Sequence, residues 1–285
     1  MIVYRIKNMR RIFQMLPLLL LVACAGGKKS DSEEMNFRGD VKSCLERKYT
    51  AFMNIEGKAE KGSFEEAVKF EFDEDGNLRN VIWLDAEDDT LKKVVSEYDD
   101  NGVLVKKCAY DGAGVLTTYS TFKYDEKGRV LETLFYDGFE NLTEKELVEY
   151  NDENMIETVL WTDEYGKQIK KIVTQRTKEG HPSSVKVYNE EFSCVNNRRE
   201  EYDEEGRLSR FKVYAPDDVT VLLEVNFTYD KGGNLVKRSA IDENGENFLP
   251  ETFRYMFDGK SNWTKSANYV GDEVKFLTER EFVYY

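Results

Sequence analysis

Tyr98-Asp99-Asp100-Asn101-Gly102-Val103-Leu104 decides how this chain reads, because the phrase returns about every 26 residues until the chain ends. Its opening position holds Phe72, Tyr98, Tyr124, Tyr150, Arg176, Tyr202, Tyr229 and Tyr255, in steps of 26 with a single step of 27. Four residues later stand Gly76, Gly102, Gly128, Asn154, Gly180, Gly206, Gly233 and Gly259. Glycine, and Asn after it, best tolerates a positive φ, so this column predicts a left-handed backbone position. The residue after the opener is mostly Asp, as at Asp73, Asp99, Asp125, Asp203 and Asp230. Asp at the first corner of a type I turn bonds its own backbone two residues on. Asp-x-x-Gly is therefore a hairpin turn closed by a glycine in the left-handed or bulge position.

Twelve residues after an opener the phrase half-repeats, at Tyr110-Asp111-Gly112-Ala113-Gly114, Thr162-Asp163-Glu164-Tyr165-Gly166 and Ile241-Asp242-Glu243-Asn244-Gly245. Each unit thus contains two turns. The stretches between them are rich in Val, Ile, Thr, Tyr and Phe, long enough for a strand and too short for a capped helix. A period of this length marks an array whose units bury apolar surface only against their neighbours. The expected fold is all-β, an elongated, curled antiparallel sheet of about eight hairpin repeats and sixteen or so strands. Residues 36–285 read as one domain, with 36–69 a divergent N-terminal cap, 70–273 the repeats and 274–285 a closing strand. Val41 to Tyr49 and Phe64 to Phe72 read as the two strands of the cap.

The phrases Tyr124-Asp-Glu-Lys-Gly-Arg-Val-Leu131, Tyr202-Asp-Glu-Glu-Gly-Arg-Leu208 and Tyr229-Asp-Lys-Gly-Gly-Asn-Leu235 resemble the Tyr-Asp (RHS-like) repeats of bacterial cell-surface proteins. The likeness runs from about Phe70 to Phe257. It implies long curling antiparallel sheets, which in large toxins of that kind close into a shell around a cargo. This chain is too short for such a shell and carries no recognisable cargo or self-cleavage domain, so the resemblance supports a fold and not a toxin.

Residues 1–23 combine Arg5, Lys7, Arg10 and Arg11 with an apolar run from Met15 to Val22 and a small Ala23 before Cys24. The run is too short to span a bilayer and reads as a secretory signal. Leu21-Val22-Ala23-Cys24 is similar to the lipobox of bacterial lipoproteins, which implies cleavage before Cys24 and a diacylglycerol on its thiol. Several acyl chains, at ~0.8 kcal/mol per buried methylene, anchor firmly. Ala25 stands where such lipoproteins often carry an inner-membrane retention Asp, which favours the outer membrane and leaves periplasmic or surface-exposed orientation undecided. Residues 24–35 read as a flexible tether, and their acidic end also resembles surface-export signals.

The signal takes four of the 41 Lys and Arg and none of the 55 Asp and Glu, leaving 37 bases against 55 acids, a net of minus 18. Such a surface repels nucleic acid and anionic membranes. His181 is the single histidine, so a Ser-His-Asp triad or a His-based zinc site would have to use it, and it follows Gly180 in a turn. No P-loop, Gly-x-Gly-x-x-Gly or Cys-x-x-Cys occurs, and no metal or cofactor beyond the lipid is expected. The acidic turns Asp73 to Gly76 and Asp99 to Gly102 lack the distal bidentate acid of a calcium loop. Cys44, Cys108 and Cys194 remain, an odd number; Cys108 and Cys194 lie about six strands apart in a stacked array, too far to pair, so free thiols are expected unless the sheet curls back on itself.

Two adjacent columns of the repeat are both apolar. Eleven residues after the opener come Trp83, Phe135 and Trp161, and one later come Tyr110, Tyr136, Tyr188 and Tyr214. Strand neighbours point to opposite faces, so the sheet is apolar on both. The Trp83, Phe135 and Trp161 column shares the face of Tyr98 and Tyr124 and is expected on the concave or core side. The tyrosine column then becomes an exposed candidate binding stripe for a glycan or an envelope protein, the roles exchanging if the faces are inverted. The expected function is non-catalytic binding or scaffolding in the outer envelope. A purely structural spacer without a ligand is the alternative, and an enzyme would need carboxylates gathered across one cleft.

Overall fold

The computed structural model describes residues 30–248 and 250–285. The expected signal, Cys24 and the first part of the expected tether lie outside them. A one-turn helix, α1 (Asp31–Glu34), precedes eighteen strands. These are β1 (Val41–Met53), β2 (Ala59–Phe72), β3 (Leu78–Leu84), β4 (Thr90–Tyr98), β5 (Leu104–Asp111) and β6 (Leu116–Tyr124). Next come β7 (Val130–Asp137), β8 (Leu142–Asn151), β9 (Ile156–Asp163), β10 (Gln168–Arg176), β11 (Pro182–Tyr188) and β12 (Cys194–Tyr202). The last are β13 (Leu208–Tyr214), β14 (Val221–Tyr229), β15 (Leu235–Asp242), β16 (Glu251–Phe257), β17 (Trp263–Val270) and β18 (Glu273–Tyr284).

Every strand pairs antiparallel with the next, and β18 returns to pair with β1 from Val41↔Tyr284 to Thr50↔Phe276. The sheet is a closed barrel of 18 strands, not the open curled sheet expected from the repeat. An open array would leave two unpaired strand edges, and closure removes them. Residues 274–285 are thus a closing strand in the literal sense. The first hairpin is also longer than its apolar pattern suggested, because β1 and β2 continue past Tyr49 and begin before Phe64.

The turns show why the phrase is written as it is. Asp99 donates its amide to the Val103 carbonyl, while its carboxylate accepts from the amides of Asn101 and Val103, each at 2.9 Å. Gly102 closes the turn at φ 71. Two positions depart from the expected column. Asn154 is not the left-handed residue of its turn; Met155 is, at φ 53, because the Asn151 side chain accepts the Asn154 amide and the turn closes one residue later. Gly259 is likewise displaced by Ser261, at φ 68, in a turn that starts at Asp258.

Cross-strand partners lie on one face, and the set that includes Cys44, Phe70, Val81 and Val94 runs right round the ring. This face is the lumen wall. Its ion pair Arg176–Glu157 is 16% and 11% exposed, whereas Arg199–Asp218 on the other face is 47% and 42% exposed. The outer face carries charge on strand after strand, including Lys69, Lys106, Lys145, Lys171, Arg210 and Lys265. A Lys or Arg facing the lipid midplane costs ~2–4 kcal/mol, so this outer wall is not built to stand in hydrocarbon.

Residues 30–40 bind across one mouth of the barrel. Ser30 caps α1 in a capping box with Glu33, so the last residues of the expected tether are folded. The Asp31 carboxylate accepts from the Leu78 amide at 2.7 Å and from the Tyr98 hydroxyl at 3.0 Å. Asn36 and Arg38 both donate to the Gly232 carbonyl at 3.2 Å, and Arg38 exchanges two backbone–side-chain bonds with Asn262 at 2.8 Å. Phe37 seats between the rings of Phe72 and Phe282. The β2–β3 and β14–β15 turns are six strand spacings apart round the wall, ~29 Å. Six residues, Asp31 to Asn36, therefore link two turns that lie six strands apart in the ring.

Candidate functional site

The turn openers occupy the lumen wall near the proximal mouth. Tyr124 donates its hydroxyl to the Leu104 carbonyl at 2.6 Å, and Tyr98, Tyr150, Tyr229 and Tyr255 make the same bond to Leu78, Val130, Leu208 and Leu235. Each accepting carbonyl belongs to the residue beside the bulge of the previous repeat, where the ladder skips a residue. The conserved shape of the phrase is thus mechanical: Tyr ties the neighbouring turn while Asp ties its own. Burial pushes Tyr150 and Tyr255 up to about 12. Arg176 departs from the pattern and instead donates to Gly180 and pairs with Glu157.

Toward the distal mouth the same wall carries Trp83, Phe135 and Trp161, on the face of Tyr98 and Tyr124 as the spacing predicts. They are half-buried rather than core. Phe135 stacks on Trp161 with ring centres 5.1 Å apart. Lys92 stands over the Trp83 ring at 4.1 Å and Lys170 over Trp161 at 4.3 Å, both within cation–π range. A cleft of about 440 Å³ lies against Trp83, with Lys48, Phe64, Glu66 and Lys92 in its lining. Between Phe135 and Trp161, β8 presents Glu144 and Glu146. Burial raises the Glu146 carboxyl above its ordinary range, with Lys170 and Thr133 pulling the other way. Lys107, also on this wall, is pushed down by burial against the opposing pull of Asp31.

These lumen carboxylates lie within strands, away from the acidic turns that the repeat makes conspicuous. Glu157, Glu200 and Glu251 also face inward, but each pairs with an arginine, Arg176, Arg198 and Arg238 respectively. Strand parity would have placed them there, had the polar residues been tracked along with the aromatics.

The tyrosine column is on the outer wall and is not continuous. Tyr136 stacks flat on Tyr119 at 4.6 Å, and Tyr119 goes unmentioned by a reading confined to the half-repeat position. Tyr110 neighbours this pair, buried Thr162 interrupts the stripe, and Tyr188 and Tyr214 resume it, with Arg199 over the Tyr214 ring at 4.3 Å. The hydroxyls of Tyr136, Tyr188 and Tyr214 make no hydrogen bond among the described residues.

His181 stacks on Tyr202 with ring centres 4.6 Å apart. Cys44, Cys108 and Cys194 are free thiols, and burial holds Cys44 up at about 12. Among the described residues no group of three His, Cys, Asp or Glu side chains converges to hold a metal ion.

No family model and no curated protein matches the chain. Among solved structures it is similar to a porin-like protein from Bacteroides uniformis, at 10% identity over 85% of this chain and 98% of that one, with a TM-score of 0.43. A porin-like protein from Bacteroides vulgatus is also 10% identical, over 86% and 98%, with a TM-score of 0.34. TcdB2-TccC3-TEV matches at 14% identity over 77% of this chain and 12% of that one, with a TM-score of 0.31. At such identity and overlap nothing of those proteins' roles passes to this chain.

Proposed function

We propose that this protein is a lipid-anchored, non-catalytic binding barrel of the outer envelope, built from Tyr-Asp repeats and taking an acidic glycan on its lumen wall. The observation that carries the reading is the pairing of Trp83 with Lys92 and of Trp161 with Lys170. Each offers a flat apolar ring and a cation side by side, the two features a sugar ring bearing a carboxylate calls for. Anchorage rests on Cys24 and its preceding Leu-Val-Ala. With five residues between Cys24 and Ser30, the proximal mouth would stand within ~20 Å of the bilayer and the distal mouth would face away from it. Three of the inward carboxylates, Glu157, Glu200 and Glu251, are each paired with an arginine, which speaks against their serving as acid or base.

The test is titration of the purified chain with oligouronates and with neutral hexose oligomers, followed by tryptophan emission. Oligouronates should shift the emission, and Trp83→Ala or Trp161→Ala should weaken binding at least tenfold while Tyr136→Ala and Tyr188→Ala leave it unchanged. Loss confined to the tyrosine variants would move the site to the outer wall, and no response to any glycan would leave the structural spacer as the better reading.

A further inference from the structure

The two mouths of the barrel are edged differently. At the proximal mouth the turns expose Asp, Glu, Lys, Asn and Gly, as in Asp125-Glu126-Lys127-Gly128-Arg129 and Asp203-Glu204-Glu205-Gly206-Arg207. At the distal mouth, successive hairpin tips hold out large apolar side chains: Ile55 is fully exposed, Phe139 88%, Tyr165 86%, Val219 77% and Phe192 69%. They belong to the β1–β2, β7–β8, β9–β10, β13–β14 and β11–β12 turns, and Val115 adds the β5–β6 turn. Consecutive tips stand about two strand spacings apart, ~10 Å. Scattered exposed apolar residues are ordinary, and Met155, Phe257 and Tyr285 near the proximal mouth are of that kind, but the five most exposed large apolar side chains all stand on the one distal rim.

Phe192 sharpens the point. It lies at φ 61, in the slot that Gly114, Gly166 and Gly245 occupy in three equivalent turns and the small or acidic Asp88, Glu140 and Asp218 in three others, and is the one aromatic among them. A bulky residue in the left-handed region is strained by ~1 kcal/mol or more, and nothing in the barrel is gained by it, because the ring points into solvent. The sequence keeps an aromatic at a tip where glycine would fold better.

The distal connections also carry 14 Asp and Glu against two lysines, Lys58 and Lys167. An apolar crown set in acid suits neither an anionic bilayer nor a second copy of itself. We infer that the distal rim is a docking surface for a polypeptide partner that is basic and amphipathic, its apolar side chains meeting Phe139, Tyr165 and Phe192 while its cations meet the acidic tips. Aromatic anchors ringed by charge are the usual anatomy of such an interface, and the opposite charges set its on-rate.

The probe is a synthetic amphipathic Leu/Lys helix, with a scrambled peptide of the same composition and a Leu/Glu helix as controls. Fluorescence anisotropy should show the Leu/Lys helix binding at least tenfold tighter than either control. The triple variant Phe139→Ser, Tyr165→Ser, Phe192→Asn, checked to unfold at no lower a temperature than the unaltered chain, should lose that tenfold. Single Phe192→Asn should weaken the peptide while raising stability, separating docking from folding. Equal binding of the scrambled peptide, or no loss in the triple variant, would overturn the inference. So would rim-dependent binding to phosphatidylcholine vesicles, or self-association in sedimentation that the triple variant abolishes.

Discussion

Tyr124 and Tyr136 stand twelve residues apart on opposite walls, and their hydroxyls separate two roles that one residue type plays here. Tyr124 satisfies the Leu104 carbonyl beside a bulge, whereas the Tyr136 hydroxyl has no partner among the described residues. Tyr124→Phe should therefore cost about 1 kcal/mol of stability and Tyr136→Phe close to none, read as urea midpoints. Equal costs would remove the tie from the account of the repeat. Glu146 allows a second test. Its pKa is raised in the fold, so its contribution is full below the unfolded value, ~4.3, and is lost as pH rises through the folded value. Glu146→Gln should raise the midpoint at pH 8 and leave it unchanged near pH 4. A gain of the same size at both would show that burial is not its cause. These roles were half legible in the sequence: the period exposed the tyrosine column, but not that its hydroxyls reach back to the preceding repeat.

At the scale of the element, the hairpin turn is a conformation first and a residue preference second. Gly102 has open space where a Cβ would stand, so the cost of Gly102→Val is that of φ 71 alone, more than about 1 kcal/mol. Asn154→Gly, the change the repeat column suggests, addresses the wrong residue. Met155→Gly relieves φ 53 and should stabilise by up to about 1 kcal/mol. Thermal melts of the three variants check the assignment, and a loss of stability in Met155→Gly would contradict it. The column pointed to Asn154 because spacing was counted from the opener, and a turn lengthened by one residue moves the left-handed slot without moving the strands. The two faces were read correctly, since strand parity carries Trp83, Phe135 and Trp161 to the side of Tyr98. Of the two forms expected for that side, concave or core, it takes the first, because an 18-strand ring is too wide for facing walls to meet and the rings line its lumen.

Closure belongs to the whole molecule and was hidden from the period, which is identical in a barrel and in an open ribbon. What distinguishes them is the match between β1 and β18, including the half-buried Arg280–Glu46 pair, and this could not be seen as long as the first was read as an N-terminal cap and the last as a strand at the far end of the array. The distal crown was missed for a related reason. Turn residues were inspected for Gly and Asp, while Phe139, Tyr165 and Phe192 sat between those signals. The closed ring brings Lys61 of β2 into an ion pair with Glu279 of β18, and Glu279 also pairs with Lys265 of β17 at 3.0 Å. In an open sheet β2 and β18 would lie sixteen strand spacings apart, ~77 Å. Zero-length carbodiimide coupling of the unaltered chain, followed by peptide mass mapping of the monomer band, therefore tests closure directly. The closed barrel predicts both a Lys61–Glu279 and a Lys265–Glu279 amide, whereas recovery of the Lys265–Glu279 link without the Lys61–Glu279 link would contradict it.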